Sequence, residues 1–250
     1  MRVLAIETSS KVLGVAVFDE DGGEVEFNYS FELRHASHLI PTIKNLLRFT
    51  NLELDDMDAY CISIGPGSFT GLRVGVATVK ALSLASNKKI VAVPTLDVLA
   101  YNVPYTNDKI CVVVDAKKEK FYSCFYEYKK TGLIQPLGGR KGTPYFLISY
   151  QEFLKRLIRI KDGMLLVGDG IEKLKTDNSP LAWHYVSRVP PSEEKLKTLK
   201  IKLASKEFWY PKAINVARIG LQLLKKGDVV KDADRLVPLY LHPRDIQCKK

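Results

Sequence analysis

No stretch of this 250-residue chain approaches the roughly 20 consecutive apolar positions that a membrane-spanning helix needs, so a transmembrane reading is excluded at the outset. No glycine-rich loop ends in Gly-Lys-Ser or Gly-Lys-Thr, which excludes a P-loop, and the glycine spacing nowhere matches the dinucleotide fingerprint. A Gly-x-Ser-x-Gly elbow is also missing. The four cysteines, Cys61, Cys111, Cys124 and Cys248, are scattered without Cys-x-x-Cys spacing, and three lie in apolar runs. They read as buried free thiols of a reducing compartment, not as a zinc or disulfide framework.

What remains is the composition of an ordinary globular chain, 46% hydrophobic and 26% charged, long enough for one large domain or two small lobes. The start, Met1-Arg2-Val3-Leu4-Ala5-Ile6-Glu7, brings in an acid where a signal peptide would still be apolar. It reads as a first β-strand, and a cytoplasmic location is the expectation. A formal charge of +10 suits a polyanion such as RNA. The lysines are scattered, however, so a solvated basic surface accounts for it equally well.

Taken in order, residues 2–8 and 14–19 read as strands joined by Ser9-Ser10-Lys11. Asp21-Gly22-Gly23 is a turn, and Val25, Phe27, Tyr29, Phe31 and Leu33 alternate with polar residues as a third strand with one buried face. Leu39, Ile40, Ile43, Leu46 and Leu47 recur at helical spacing, with Ser37 as cap and Pro41 in the first turn. A strand at 59–64, a small-residue helix to about Ala85, a strand at 90–93 and a short helix capped by Thr95 complete a βββαβαβα lobe over 1–102.

After a linker at 103–109 the element order restarts. Strands are expected at 110–115 and 120–128, then a turn at Lys130-Thr131-Gly132 and a strand region near 133–148. A helix at 150–160 and strands at 164–167 and 183–187 follow. This implies a duplicated α/β lobe over 103–210. A helical tendency is read in the lysine-rich stretch from Lys195 to Lys206. The helix from Pro211 to Gly227 carries proline at its start and glycine past its end, and the chain from 227 to 250 reads as an extended tail.

Between the strand at 59–64 and its helix lies Gly65-Pro66-Gly67-Ser68-Phe69-Thr70-Gly71-Leu72-Arg73. A glycine-rich strand–loop–helix junction allows close backbone approach and presents helix amides, so it is a candidate anion cradle. Ser68 and Thr70 lack a partnered histidine for nucleophilic catalysis, and capping by Ser68 is a sufficient account of it. His35 and His38, one turn apart, need a third ligand to hold a metal, and His184 and His242 stand in no recognisable pairing, so no metal site is assigned. Gly71 and Gly75, continued by Thr78 and Leu82, form a flat stripe suited to close approach by another backbone.

Ala5-Ile6-Glu7-Thr8-Ser9, His35 ahead of Leu39-Ile40-Pro41, the Gly65–Arg73 motif, Asp115-Ala116, Gly168-Asp169-Gly170 and Pro238-Leu239-Tyr240-Leu241 occur in an order that resembles the TsaB (YeaZ) family. The resemblance covers nearly the whole chain. It implies a two-lobe actin-like ATPase and sugar-kinase (ASKHA) fold and a noncatalytic subunit in the synthesis of threonylcarbamoyladenosine in tRNA. Such a subunit would bind and activate a TsaD-type transferase, be joined by a TsaE-type ATPase, and meet tRNA through the complex.

The implied interface is a helix bundle built from Leu39, Ile43, Leu46, Leu47, Gly71, Leu72, Gly75, Thr78 and Leu82, a face that would serve equally for a homodimer. Glu7, Thr8, Ser9, Asp115, Gly168 and Gly170 occupy the superfamily's nucleotide positions. The turn after Glu7 contains no glycine, so tight phosphate approach is disfavoured and no cofactor of the chain's own is expected; ATP or ADP at a subunit boundary stays open. The alternative is an autonomous ATP-dependent kinase or ATPase. This chain departs from the family pattern at Lys117, Glu119 and Lys120, where arginine, glycine and glutamate are usual, and in the lysine-rich stretch near 192–206.

Overall fold

The structure, a computed structural model, describes residues 1–30, 35–129, 134–137, 144–158, 163–175 and 201–241. The chain divides into two compact units. One comprises Met1–Val98 and Tyr210–Tyr240, the other Leu99–Trp209 with Leu241.

The first unit is built on β1 (Arg2–Glu7), β2 (Val12–Asp19), β3 (Gly23–Ser30), β4 (Ala59–Ser63) and β5 (Lys89–Val93), in the sheet order β3-β2-β1-β4-β5. The hairpin strands are antiparallel, and β4 and β5 run parallel to β1. Val3, Leu4, Ala5 and Ile6 are all fully buried, because β1 is central and covered on both faces. That double burial is why its sequence is a continuous apolar run without alternation. At the sheet edge β3 alternates as its sequence does, with Val25, Phe27 and Tyr29 half-buried against the core. The expected continuation to Phe31 and Leu33 lies outside the described residues.

Two helices, α1 (His35–Thr50) and α2 (Phe69–Ser86), cover one sheet face. Leu39, Ile43, Leu46 and Leu47 from α1, and Val76 and Val79 from α2, pack with Leu4, Ile6, Val15, Val17, Tyr60 and Ile62 in one core cluster. The other face is covered by α6 (Ala213–Lys225), which comes from the far end of the chain. Gly220 of α6 admits Cys61 so closely that a Cβ there would stand 2.3 Å from its Sγ. The short helix α3 (Thr95–Ala100) lies where the two units meet in sequence, and Thr95 is its first residue, not a cap outside it.

The start of α1 differs from the sequence expectation. Ser37 is not the cap; the helix already includes His35, whose buried ring donates from Nε2 to the carbonyl of Ser10 at 2.7 Å. Pro41 therefore falls in the second turn, where it removes the N–H that would reach the carbonyl of Ser37.

The second unit repeats the pattern with one change. Its strands are β6 (Lys109–Asp115), β7 (Lys120–Tyr128), β8 (Ile134–Leu137), β9 (Phe146–Ser149), β10 (Met164–Val167) and β11 (Ile201–Leu203), in the order β11-β10-β6-β7-β8 with β9 also on β7. Two short strands, β8 against 125–128 and β9 against 120–123 of β7, stand where the first sheet has one long β3. The helices α4 (Tyr150–Ile158) and α5 (Ile171–Lys175) follow the element order of the first unit.

The helical tendency read from Lys195 to Lys206 is overturned at residues 201–203. Residues 201–203 form β11, parallel to β10 with Ile201 opposite Met164, because the sheet edge offers hydrogen bonds and a buried place for Ile201. The strand expected at 183–187 and the turn at Lys130-Thr131-Gly132 lie outside the described residues. So do His184, His242 and Cys248.

Cys61, Cys111 and Cys124 are buried free thiols. Burial pushes Cys61 and Cys111 up to about 12. Neither is therefore expected to react with a thiol reagent at pH 8 in the folded protein, and both should react once urea opens the fold; mass spectrometry of the labelled peptides checks this.

Among the described residues no helix is long and apolar enough to cross a membrane.

Candidate functional site

The Gly65–Arg73 motif leads from β4 into α2, and several of its backbone groups are engaged by the chain itself. Gly65 has φ +106°; its N–H donates to Thr95 Oγ1 at 3.0 Å, and its carbonyl accepts from Thr95 N at 2.9 Å. A Cβ at Gly67 would stand 2.3 Å from the carbonyl oxygen of Ser9, and Ser68 N–H donates to that same oxygen at 2.7 Å. Ser68 then caps α2, its Oγ accepting from Gly71 N–H at 3.3 Å and its carbonyl from Leu72 N–H at 2.9 Å. The amides of Gly65, Ser68, Gly71 and Leu72 are thus taken by the chain itself, so the loop holds no anion on these donors. Ser68 Oγ caps a helix and His35 Nε2 faces Ser10, which gives neither the geometry of a nucleophile and its base.

The motif packs onto the β1–β2 turn. Thr8 O faces Gly71, Ser9 O accepts from Ser68, and Ser10 O accepts from His35. Three successive carbonyls of the turn are closed off by α1, α2 and the loop between β4 and α2. A phosphate-binding hairpin needs open backbone donors, and here Ser9 N–H already donates to Glu7 Oε1 at 2.6 Å and Val12 N–H to Ser10 Oγ at 3.1 Å.

Glu7, at the end of β1, is fully buried. Its Oε1 accepts from Ser9 N–H at 2.6 Å and Ser9 Oγ at 2.5 Å, while Oε2 has no partner among the described residues. Burial raises its pKa above the ordinary value of 4.5, only partly offset by the bonds from Ser9. The sign follows from proton binding: the folded state keeps the Glu7 proton above pH 4.5, where the unfolded chain releases it, so stability falls as pH rises through the folded pKa. Glu7→Gln keeps an acceptor for Ser9 without a charge to desolvate. It should melt higher than the parent at pH 7, with the advantage gone below about pH 4.5, as thermal melts across that range would record.

In the second unit Asp115, Gly168 and Gly170 come together. Asp115 N–H donates to Asp169 Oδ1 at 3.0 Å. Gly168 has φ +118°, and a Cβ on it would stand 2.2 Å from the carbonyl of Val113, to which Gly170 N–H also donates at 3.1 Å. Partial burial would raise the Asp115 pKa, but Lys173 at 2.7 Å and Lys117 at 2.9 Å outweigh it and hold the carboxyl below its usual value. Lys117, Lys118 and Glu119 all have positive φ, of +61°, +47° and +56°. Glu119 thus occupies a backbone conformation that glycine meets without strain. Among the described residues no three His, Cys, Asp or Glu side chains converge on a metal position.

The expected interface residues need correction. Leu39, Ile43, Leu46, Leu47 and Leu72 are buried in their own unit, and Gly71 and Gly75 point inward. A Cβ at Gly71 would lie 2.0 Å from Thr8 O, and one at Gly75 would lie 2.3 Å from Thr8 Oγ1 and 2.9 Å from Ile62 Cδ1. The small-residue stripe lets α2 approach β1, not another molecule. Thr78 is half-buried, and Leu82, also half-buried, packs against the same core. The reason is economy of apolar surface: one face of the sheet had to be covered, and replacing one such leucine by alanine typically costs 2–5 kcal/mol.

The outward face is a different set. Ala77, Ala81 and Ala85 recur at four-residue spacing on exposed α2, with Leu84 88% exposed beside them. On α1, Ile40 and Pro41 are exposed and Phe49 is 71% exposed. Among the described residues, half of the large exposed apolar side chains, Ile40, Phe49, Phe69 and Leu84, sit on these two helices. Exposed apolar groups gathered this way mark an interaction surface. The alanines escaped the sequence reading because two glycines dominated the same helix. The signal that would have found them is the alanine repeat itself, offset from Gly71 and Gly75 by about half a helix turn.

At the helix start, the Arg73 guanidinium lies over the Phe69 ring at 3.9 Å and reaches Tyr240 Oη at 3.4 Å. Leu239 N–H donates to Ile64 O at 2.7 Å. The segment from Val230 to Tyr240 is therefore docked on the first unit, with Leu236 in its core cluster.

Comparison with known proteins gives three kinds of match. Residues 31–138 match the family model of TsaD, tRNA N6-adenosine threonylcarbamoyltransferase. The chain is 26% identical to the tRNA threonylcarbamoyladenosine biosynthesis protein TsaB of Bacillus subtilis, over all of this chain and 97% of that protein. It is 30% identical to TsaB of Buchnera aphidicola subsp. Schizaphis graminum, over 71% of this chain and 82% of the relative. In fold it is similar to YeaZ from Pseudomonas aeruginosa, with a TM-score of 0.72 over 96% of this chain and 99% of that one at 22% identity. The expected two-lobe actin-like fold is the fold found.

Proposed function

Because the chain belongs to the TsaB family, we propose that it takes part in forming threonylcarbamoyladenosine in tRNA as a noncatalytic subunit that binds and activates a TsaD-type transferase. The observation that carries this reading is the outward face of α1 and α2, where alanines at four-residue spacing stand beside exposed Ile40, Phe49 and Leu84. Small residues in such a row let a partner helix come close, and the apolar side chains around them supply burial. In this scheme a TsaE-type ATPase joins the pair, and tRNA and any ATP or ADP are met at subunit boundaries.

The test is co-purification with a TsaD-type transferase from the same source, followed by a tRNA modification assay with and without this chain. Complex formation and a large gain in modified tRNA are the expected results. Unchanged modification without the chain would overturn the reading.

The second reading, an autonomous ATPase, is favoured only by the actin-like fold. The turn after Glu7 has no glycine, and its Ser9 and Val12 amides already donate to Glu7 Oε1 and Ser10 Oγ, which leaves that hairpin poorly suited to phosphate. ATP turnover by the purified chain, lost in Glu7→Ala, would reverse the preference.

A further inference from the structure

The formal charge of +10 is not shared between the two units. Residues 1–98 and 210–240 hold 15 Lys and Arg against 15 Asp and Glu, so the first unit is neutral. Residues 99–209 and 241–250 hold the other 23 of the 38 cations and 13 of the 28 acids, an excess of ten that accounts for the whole net charge. Lysines that are scattered along the sequence are sorted once the fold divides it. A surplus that served solubility alone would be expected on both units.

Some cations of the second unit are already paired. Lys117 and Lys173 hold Asp115 at 2.9 and 2.7 Å, Lys202 holds Asp108 at 2.7 Å, and Arg156 meets Glu152 at 3.5 Å. Lys118, Lys129 and Lys155 are exposed and make no ion pair among the described residues. Lys118 lies in the β6–β7 turn and Lys129 just past the end of β7, with the nine residues of that strand between them. At about 3.3 Å per residue the two ends stand roughly 30 Å apart. Lys155 is on α4, whose first residue, Tyr150, donates its N–H to the carbonyl of Glu119 in the same turn at 2.8 Å.

Cations set singly over such a distance do not close around one small anion. They suit a polymer that repeats its negative charge along its length, as a nucleic-acid backbone does. We infer that the second unit is the part of this chain that contacts RNA, with Lys118, Lys129 and Lys155 meeting phosphates, and that the neutral first unit adds little to that contact. The inference rests on the proposed function, which supplies tRNA as the polyanion, and adds which unit meets it and by what chemistry. Phosphate contacts carry no sequence information, so unrelated tRNAs should bind alike.

The test needs only this chain. Fluorescence anisotropy with labelled tRNA measures the affinity of the full native chain from about 50 to about 200 mM salt, a range over which phosphate contacts weaken steeply. Two variants each lose three positive charges. Lys118→Gln/Lys129→Gln/Lys155→Gln alters the second unit, and Lys89→Gln/Lys226→Gln/Lys231→Gln alters exposed lysines of the first. The second-unit set should weaken binding about tenfold at low salt and flatten the slope of log affinity against log salt by about three. The first-unit set should leave both close to the native values. Circular dichroism melts, expected to match the parent because all six residues are exposed, separate a surface effect from unfolding.

Equal losses from the two sets would show that net charge alone is at work and would overturn the inference, as would native binding that the second-unit set leaves unchanged. Tighter binding to vesicles rich in phosphatidylserine than to tRNA, lost in the same set, would give the surface to a membrane and overturn it too. Because no arm uses the transferase, the two readings fail separately. Binding of tRNA that follows the second-unit set, with a transferase that neither binds nor gains activity, keeps the inference and removes the proposed partner. Activation of the transferase by a chain that binds no tRNA overturns the inference alone.

Discussion

Gly71→Ala should lower the unfolding free energy by roughly 3 kcal/mol, although alanine is the better helix former by about 1 kcal/mol. The clash decides the sign. The new methyl group would stand 2.0 Å from the carbonyl oxygen of Thr8, a backbone atom held in the β1–β2 turn between Glu7 and the bonds to Ser9 and Ser10. Relief requires α2 or the turn to move as a whole. Gly75→Ala meets side-chain atoms instead, Thr8 Oγ1 at 2.3 Å and Ile62 Cδ1 at 2.9 Å, and should cost less.

Removing the Thr8 hydroxyl, which has no hydrogen-bond partner among the described residues, should then rescue Gly75→Ala and leave Gly71→Ala unrescued. Urea unfolding of the single and double variants checks this. Equal rescue of both would show that the two glycines do not make distinct contacts. Ala77→Gly on the exposed side of the same helix serves as reference, with a loss of about 1 kcal/mol from propensity alone.

Ala77→Gln/Ala81→Gln should weaken the proposed binding to a TsaD-type transferase by about a hundredfold or more, while leaving the melting temperature of the isolated chain within a degree or two, since exposed substitutions away from special features change stability little. Glutamine is neutral, a good helix former and too long for a close helix–helix approach, so the loss reads out bulk at the contact and not charge or folding. Isothermal titration against the transferase measures it. Retained affinity would move the interface away from the outward alanines. A bulky residue at Gly75, the substitution that the small-residue pattern first suggests, would not make this distinction, because Gly75 is part of the fold's interior.

Much of the first unit could be read from its residues. The unbroken Val3–Ile6 run fits a central strand covered on both sides, the alternation at Val25, Phe27 and Tyr29 fits an edge strand, and Ser68 is the cap that its position before a small-residue helix suggests. The orientation of α2 could not be read. A row of glycines states that some backbone comes close, and periodicity cannot say whether that backbone belongs to the same chain. Here the neighbour is Thr8, about sixty residues earlier.

The interrupted strand region expected near 133–148 is two strands, and how they pair could not be read from the sequence. Gly138, Gly139, Gly142 and Pro144 interrupt the run, and only tertiary pairing shows β8 and β9 both meeting β7. Residues 201–203 were misread because a short strand at a sheet edge takes its conformation from β10 rather than from its own lysine-rich surroundings.

The placement of α6 bears on how the protein is made. The first sheet leaves the synthetic machinery by residue 98, yet the helix that covers one of its faces, including the contact of Gly220 with Cys61, is not translated until residues 213–225. At ordinary elongation rates of about 5–20 residues per second, the delay is on the order of ten seconds. During that interval an apolar β-surface stands without its lid on a nascent chain, the sort of surface that holdase chaperones bind. Messenger changes that slow decoding between codons 98 and 213 would lengthen that exposure without altering a single amino acid.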